Sequence, residues 1–287
     1  MQARTLARAA AALWISPVLA LAMSSAAHAQ GQTAGQPVQA LYVGNSLIYF
    51  YDVPGLAERV AAGDGKSLRT RMIAAPGATS ADHLATGEAM RALREQPWTQ
   101  LVLQEQGGAL LCVLKKRPDA RCEALLDATR GLAAIAHERA VRFILLGTWQ
   151  ASEDAQASLN RAEARVATEV RADAVIRLGE VQHRLMQRWP RWAWLGSDGV
   201  HPGADASLLA ALLLHYATYG EWPGLDAPTL RVCEHAMADG TLTQHAASCR
   251  DMTEGHLRHM LHSVRGICGD TPSRCVTRLR DAPPADR

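Results

Sequence analysis

Residues 38–47 read VQALYVGNSL. The apolar run Val38–Val43 stops at Gly44, which predicts a short buried strand emptying into a tight turn. Ser46 then opens a helix or presents a free hydroxyl beyond the strand end. The same punctuation recurs downstream. Leu68–Ile73 alternates as a second strand, Gln100–Leu103 as a third and Ala174–Leu178 as a fifth, while Val141–Leu146 is the most apolar and is expected at the centre. Between them lie helical spacings over Pro54–Ala62, from an N-capping Ser80 to about Glu95, over Glu123–Arg139, Glu153–Arg171 and Glu180–Trp189, and then over the strongly apolar Ala204–Tyr219. Strands alternating with helices predict an α/β protein: a three-layer α/β/α sandwich around a five-stranded parallel sheet. Beyond Pro228 the pattern reads as helices and loops only, so residues 38–225 are expected to form the main domain and 226–287 a helical extension closed by disulfides.

The chain has 287 residues, 48% hydrophobic and 20% charged, which excludes collagenous, coiled-coil and broadly disordered classes. Arg4 and Arg8, the apolar run from Ala9 to about Met23 and Ala27-His28-Ala29 have the layout of a secretory signal peptide over residues 1–29. Residues 30–37 follow as a flexible leader. That apolar run is shorter than the roughly 20 residues a membrane span needs, and no stable membrane insertion is expected. Without Arg4 and Arg8 the remaining bases and acids balance, so nucleic acid is not an expected partner. The localisation expected is periplasmic or secreted.

Export lets cysteines oxidise. Proximity in sequence pairs Cys112 with Cys122, Cys233 with Cys249 and Cys268 with Cys275. Each pair closes a short loop, worth about 2–4 kcal/mol. The chain contains no CxxC. His256, His259 and His262, three apart on an expected helix, read as a solvated face sooner than as metal ligands.

Ligands of open parallel sheets bind beyond the carboxyl ends of the strands. The first strand is followed by Gly44-Asn45-Ser46-Leu47, the second by Ala75-Pro76-Gly77-Ala78-Thr79 and the third by Gln104-Glu105-Gln106-Gly107-Gly108. Ser197-Asp198-Gly199-Val200-His201-Pro202 precedes the apolar helix. These segments offer a hydroxyl, a glycine N–H, side-chain amides and an acid–imidazole pair, the groups acyl transfer needs. Trp189, Trp192 and Trp194 just upstream either line a substrate groove or pack this loop onto the sheet.

GNSL resembles the GDSL box, and SDGVHP resembles a carboxy-terminal D-x-x-H box. In this order, from about Val38 to Tyr219, the chain resembles the SGNH (GDSL-type) serine hydrolases. The resemblance implies a flavodoxin-like fold and cofactor-free hydrolysis of a small-molecule or carbohydrate ester, an O-acetyl group being the first to test. Ser46 takes the nucleophile's place, His201 the base's, Asp198 that of the acid orienting it, and Gly77 that of an oxyanion donor. Asn45 stands where GDSL has Asp. The third block, G-x-N-D in the family, is Gln104-Glu105-Gln106, leaving Gln104 and Gln106 as the amide candidates. The alternative is an exported binding protein on the same scaffold. A histidine base also implies activity rising through roughly pH 6–7.

Overall fold

The computed structural model describes residues 37–224, 229–238, 241–269 and 273–279. The expected signal peptide, residues 1–29, and nearly all of the leader lie outside the described residues. In chain order the elements are β1 Val38–Gly44, α1 Ser46–Tyr49, α2 Val53–Gly63, β2 Leu68–Ala74, α3 Ser80–Thr86, α4 Glu88–Glu95 and β3 Gln100–Gln104. There follow α5 Ala120–Glu138, β4 Arg142–Leu146, α6 Glu153–Glu169, β5 Ala174–Ile176, α7 Leu178–Arg188 and α8 Ala204–Tyr219. The C-terminal part holds β6 Thr229–Ala238, β7 Thr241–Thr253, α9 Glu254–Cys268 and β8 Val276–Arg278.

The five expected strands form one parallel sheet in the order β2-β1-β3-β4-β5. This is the flavodoxin-like doubly wound order, whose direction reverses at β1 and β3. Alternate residues of each strand feed opposite layers. Tyr42, Val102, Ile144 and Ile176 face α2, α7, α8 and α9. Leu41, Leu101, Phe143 and Val175 face α4, α5 and α6. Helix α8 is buried on nearly every side, which explains its all-round apolar sequence.

Three sequence expectations are corrected. The extension is not only helices and loops: β6 and β7 pair as an antiparallel hairpin. In addition, β8 joins the main sheet antiparallel to β5, making six strands. The helix expected from Ser80 to Glu95 is two helices, because Gly87 adopts a left-handed conformation (φ 68°) that breaks the first and starts the second. Its cap is Thr79, not Ser80. Thr79 and Asp82 form a reciprocal capping box, while the buried Ser80 hydroxyl donates to the Leu125 carbonyl.

All three disulfides pair as expected: Cys112–Cys122, Cys233–Cys249 and Cys268–Cys275. The last ties the end of α9 to the approach of β8. The tryptophans pack. Trp194 is buried, its indole donating to the Trp189 carbonyl; Trp189 donates to Ser263 of α9, and Trp192 stacks on Trp189. His256 of the expected solvated face instead meets the buried Asp205 at 2.5 Å. Among the described residues no His/Cys/Asp/Glu group is arranged to hold a metal, and no helix is long and apolar enough to cross a membrane.

One buried acid couples this fold to pH. Glu163 of α6 is 2% exposed and accepts from the Thr148 N–H at 2.8 Å, anchoring the segment after β4. Burial pushes its carboxyl from 4.5 up to about 8, against the opposing pull of the Thr148 hydrogen bond and Arg177. The folded chain therefore keeps a proton that the unfolded chain has released, and this contribution to stability falls as pH rises from about 4.5 to about 8. Glu163→Gln, which does not titrate, is expected to gain on the order of 2–4 kcal/mol relative to wild type between pH 5 and pH 8.5. Urea unfolding at both pH values measures it, and a constant difference between the two proteins would refute the assignment.

Candidate active site

The site gathers at the β1/β3 reversal. β1 ends at Gly44, where any side chain would collide: a Cβ there would lie 2.9 Å from both Gln104 Oε1 and Ile48 Cδ1. The buried imidazole of His83 holds the Gly44 carbonyl at 2.7 Å. Asn45 caps α1, its Oδ1 accepting from the Leu47 N–H at 3.1 Å, and its Nδ2 donates to the Ala78 carbonyl at 3.0 Å. An aspartate could make the first bond but, when ionised, not the second. Asn45 thus ties the Ser46 turn to the loop carrying Gly77. Ser46 is the first residue of α1, so the helix is capped by its neighbour and the serine hydroxyl is spared for other work.

Gly77 has φ 65°, a left-handed turn in which other residues are strained. A Cβ built on it would find Gln106 Nε2 nearest, at 3.9 Å, so backbone and amide sit side by side. Ser46, Gly77 and Gln106 line one concavity of about 290 Å³, joined by Trp149, Gln150 and Val200. Gln104 is not among its walls. The Gln104 side chain is buried in the seam beside Gly44, and its amide donates to the Glu105 carbonyl. Of the two amide candidates only Gln106 reaches Ser46's concavity, because strand alternation turns Gln104 into the protein.

Glu105 is equally buried. Its carboxylate accepts from the N–H groups of Ser80 at 3.0 Å and Gln106 at 2.8 Å, bracing the third loop against α3. Burial pushes this carboxyl up, and the hydrogen bonds from Ser80 and Gln106 oppose that.

The acid–imidazole pair forms in one turn. Gly199, at φ 68°, lets the chain fold back so that Asp198 Oδ1 accepts from the Val200 and His201 N–H groups, each at 2.9 Å. Asp198 Oδ2 lies 2.5 Å from His201 Nδ1. Partial burial would raise the Asp198 carboxyl, but the His201 ring and the two N–H donors outweigh it and hold it at about 2. The His201 ring stacks on Phe50 (centroids 4.5 Å, planes 18° apart), and the Phe50 N–H donates to the Ser46 carbonyl at 3.0 Å. The turn carrying His201 therefore rests against the helical turn that Ser46 opens, although the two lie roughly 150 positions apart in sequence. Among the described residues, neither the Ser46 hydroxyl nor His201 Nε2 has a hydrogen-bond partner.

Sequence reasoning missed Glu234 of β6. One of its oxygens accepts from Tyr51 Oη and from the Ser197 N–H, both at 2.8 Å; the other accepts from Ser197 Oγ at 2.9 Å. Burial would raise this carboxyl, but the Ser197 and Tyr51 bonds win and lower it. The adjoining His235 N–H donates to the Phe50 carbonyl at 2.7 Å. The hairpin thus holds both the Asp198–His201 turn and the aromatic beneath the imidazole. Trp149, after β4, was also missed; its strand end was not read for site residues.

No protein-family model and no curated protein matches the chain. Among solved structures it is similar to a DUF4886 family protein from Bacteroides uniformis, with TM-score 0.55 and 12% identity over 80% of this chain and 94% of that one. It also matches a lipase/acylhydrolase from Enterococcus faecalis (TM-score 0.46, 18% identity, 64% and 96% covered). A further match is a catalytic mutant of an acetylxylan esterase from Geobacillus stearothermophilus (TM-score 0.46, 14% identity, 63% and 93% covered). At these identities the likeness is one of fold, and the first of the three carries it: the chain has a doubly wound α/β/α architecture already seen in solved proteins.

Proposed function

We propose that the chain is an exported ester hydrolase of the SGNH type, acting on a small acyl ester through a Ser46–His201–Asp198 relay. The observation that carries this reading is convergence. A serine with an uncommitted hydroxyl, a left-handed glycine and a side-chain amide line one concavity, and a carboxylate-held imidazole is stacked on the serine's own helical turn.

Each group has a role its surroundings favour. A serine hydroxyl is a weak nucleophile and needs a base as it attacks. His201 Nε2 takes the Ser46 proton as Oγ bonds the ester carbon. Asp198, ionised at any pH well above about 2, keeps Nδ1 protonated and stabilises the imidazolium. The carbonyl oxygen becomes an oxyanion, received by the N–H groups of Ser46 and Gly77 and by the Gln106 amide. As the intermediate collapses, the carbon–alkoxy bond breaks and the proton on Nε2 passes to the departing alcohol. Water, deprotonated by the same imidazole, then releases the acid and restores Ser46. His201 relays each proton in turn, from Ser46 to the departing alcohol and then from water back to Ser46. The three disulfides favour an oxidising compartment, which supports export.

The test is a fluorophosphonate probe, which phosphonylates only an activated serine. Wild type should be labelled at Ser46, with one adduct on the peptide containing it, and should hydrolyse a short ester such as methyl acetate. A folded wild type that stays unlabelled would overturn the reading in favour of a binding protein.

A further inference from the structure

We propose that Asp205 and His256 form a second carboxylate–imidazole pair with a positioning role: it fixes the base of the loop whose tip carries His201. This rests on the ester-hydrolase reading.

The loop from Ala193 to Asp205 is closed rung by rung. At its base the Asp205 N–H donates to the Ala193 carbonyl at 3.0 Å. Above it the Gly203 N–H donates to the Trp194 carbonyl and the Gly196 N–H to the His201 carbonyl, both at 2.8 Å. These two bonds pair Leu195 antiparallel with Pro202. His201 thus takes its place from the rungs beneath it. Glu234 holds the tip at Ser197. Asp205 holds the base.

Asp205 is the second residue of α8 and is fully buried. Its carboxylate turns back on the loop, Oδ2 accepting from the Ala193 N–H at 2.6 Å. Residue 205 therefore holds Ala193 through backbone and side chain together. A buried carboxylate is costly unless donors and opposite charge meet it. The C-terminal part supplies both. His256 Nε2 lies 2.5 Å from Oδ1, and the Arg250 guanidinium lies 3.6 Å from Oδ2. His256 is itself fixed: its N–H donates to Thr253, the cap of α9, and its ring lies 5.0 Å from that of Trp192, the neighbour of Ala193. Without the imidazole, Oδ1 loses its hydrogen bond inside the protein, and the carboxylate must shift toward water or Arg250. Either shift pulls Ala193 and the rungs above it. A misplacement of about 1 Å at a proton-transferring group can cost about 10²-fold in rate. Neither Asp205 nor His256 lines the concavity that holds Ser46, so the pair acts through His201's placement and not on substrate.

The experiment compares wild type with three variants. His256→Ala and His256→Phe both remove the donor, and the second keeps a ring against Trp192. His256→Gln keeps a donor for Oδ1. Fluorophosphonate labelling taken to completion counts competent sites, and turnover of methyl acetate is expressed per labelled site, so unfolded protein does not register as slow turnover. Both donor-less variants are expected to lower kcat per site by about 10- to 100-fold with KM within about twofold, and His256→Gln to stay within about threefold of wild type. In parallel, the His201 ring-proton signals are followed by NMR on histidine-labelled protein and assigned by their absence in His201→Ala. Stacking on Phe50 shifts them upfield; they should move downfield in the donor-less variants and hold in His256→Gln. Unchanged kcat per site, unmoved His201 signals, or a His256→Gln as impaired as His256→Ala would each overturn the positioning role. So would failure of both donor-less variants to fold, since the pair would then hold the whole fold and not the loop. If wild type neither labels nor cleaves an ester, the esterase reading falls and the NMR comparison decides the pair's role by the same criteria.

Discussion

Ser46→Ala and His201→Ala are each expected to lower kcat on a short acyl ester by about 10⁴-fold or more, and the double variant to be no slower than the worse single one. The expectation comes from the relay's interdependence. Without the imidazole the hydroxyl keeps its proton; without the hydroxyl the imidazole has no nucleophile to activate. Asp198→Asn should cost about 10⁴-fold as well, for a different reason. An asparagine of the same shape can still accept from Val200 and His201 at Oδ1, so the turn would persist. What it loses is the charge that stabilises the imidazolium, and its amide can face Nδ1 and force the wrong tautomer. Steady-state kinetics on the three single variants and the serine–histidine pair measure this. Multiplicative losses in the double variant, or a Ser46→Ala protein within about tenfold of wild type, would separate the two residues and remove the relay.

How much of this was legible in sequence depended on the range of the interactions involved. The central parallel strands were, because burial on both faces leaves near-continuous apolar runs such as 143–146, while the edge strand β2 showed as alternation. Helix α8 was placed with its observed bounds, since the unbroken apolar run Leu208–Leu214 lies at its centre and Gly203 and Gly220 flank its ends. The disulfides were legible because all three loops are short. Within the site, Ser46, Gly77 and His201 announced themselves by following strand ends or by the D-x-x-H spacing. The choice between Gln104 and Gln106 was not legible, because it turns on which way a strand's last side chain points. The hairpin was missed although Leu230, Arg231 and Val232 alternate buried and exposed, and although Asp239-Gly240 between the two arms is a strong two-residue turn signal. Its importance was further from view still. Glu234 reaches Tyr51 across 183 positions, and no local pattern encodes a bond of that separation. The Trp189–Trp194 cluster was legible only as a choice between a substrate groove and packing, and the structure uses those rings for packing, against α9.

The corrected third loop yields the other large effect. Gln106→Ala is expected to lower kcat by about 10²–10³-fold with little change in KM, while Gln104→Ala should leave kcat within about threefold and lower thermal stability instead. The difference follows from where each amide lies. Gln106 borders Gly77 in the concavity that holds Ser46, so its Nε2–H can strengthen its bond as charge develops on the ester oxygen. That is stabilisation realised in the transition state, which appears in kcat. Gln104 is 3% exposed, fills the space beside Gly44, and does not line the concavity that holds Ser46. Gln106→Glu sharpens the comparison. It keeps the shape, removes the donor and sets an anion beside the developing oxyanion, so it should be at least as slow as Gln106→Ala. The loop should hold in all three proteins, because Glu105 grips the Gln106 backbone and not its side chain. A Gln106→Glu protein that turns over at near wild-type rate would mean that Ser46 and Gly77 receive the charge alone, and that the amide's position beside them is incidental.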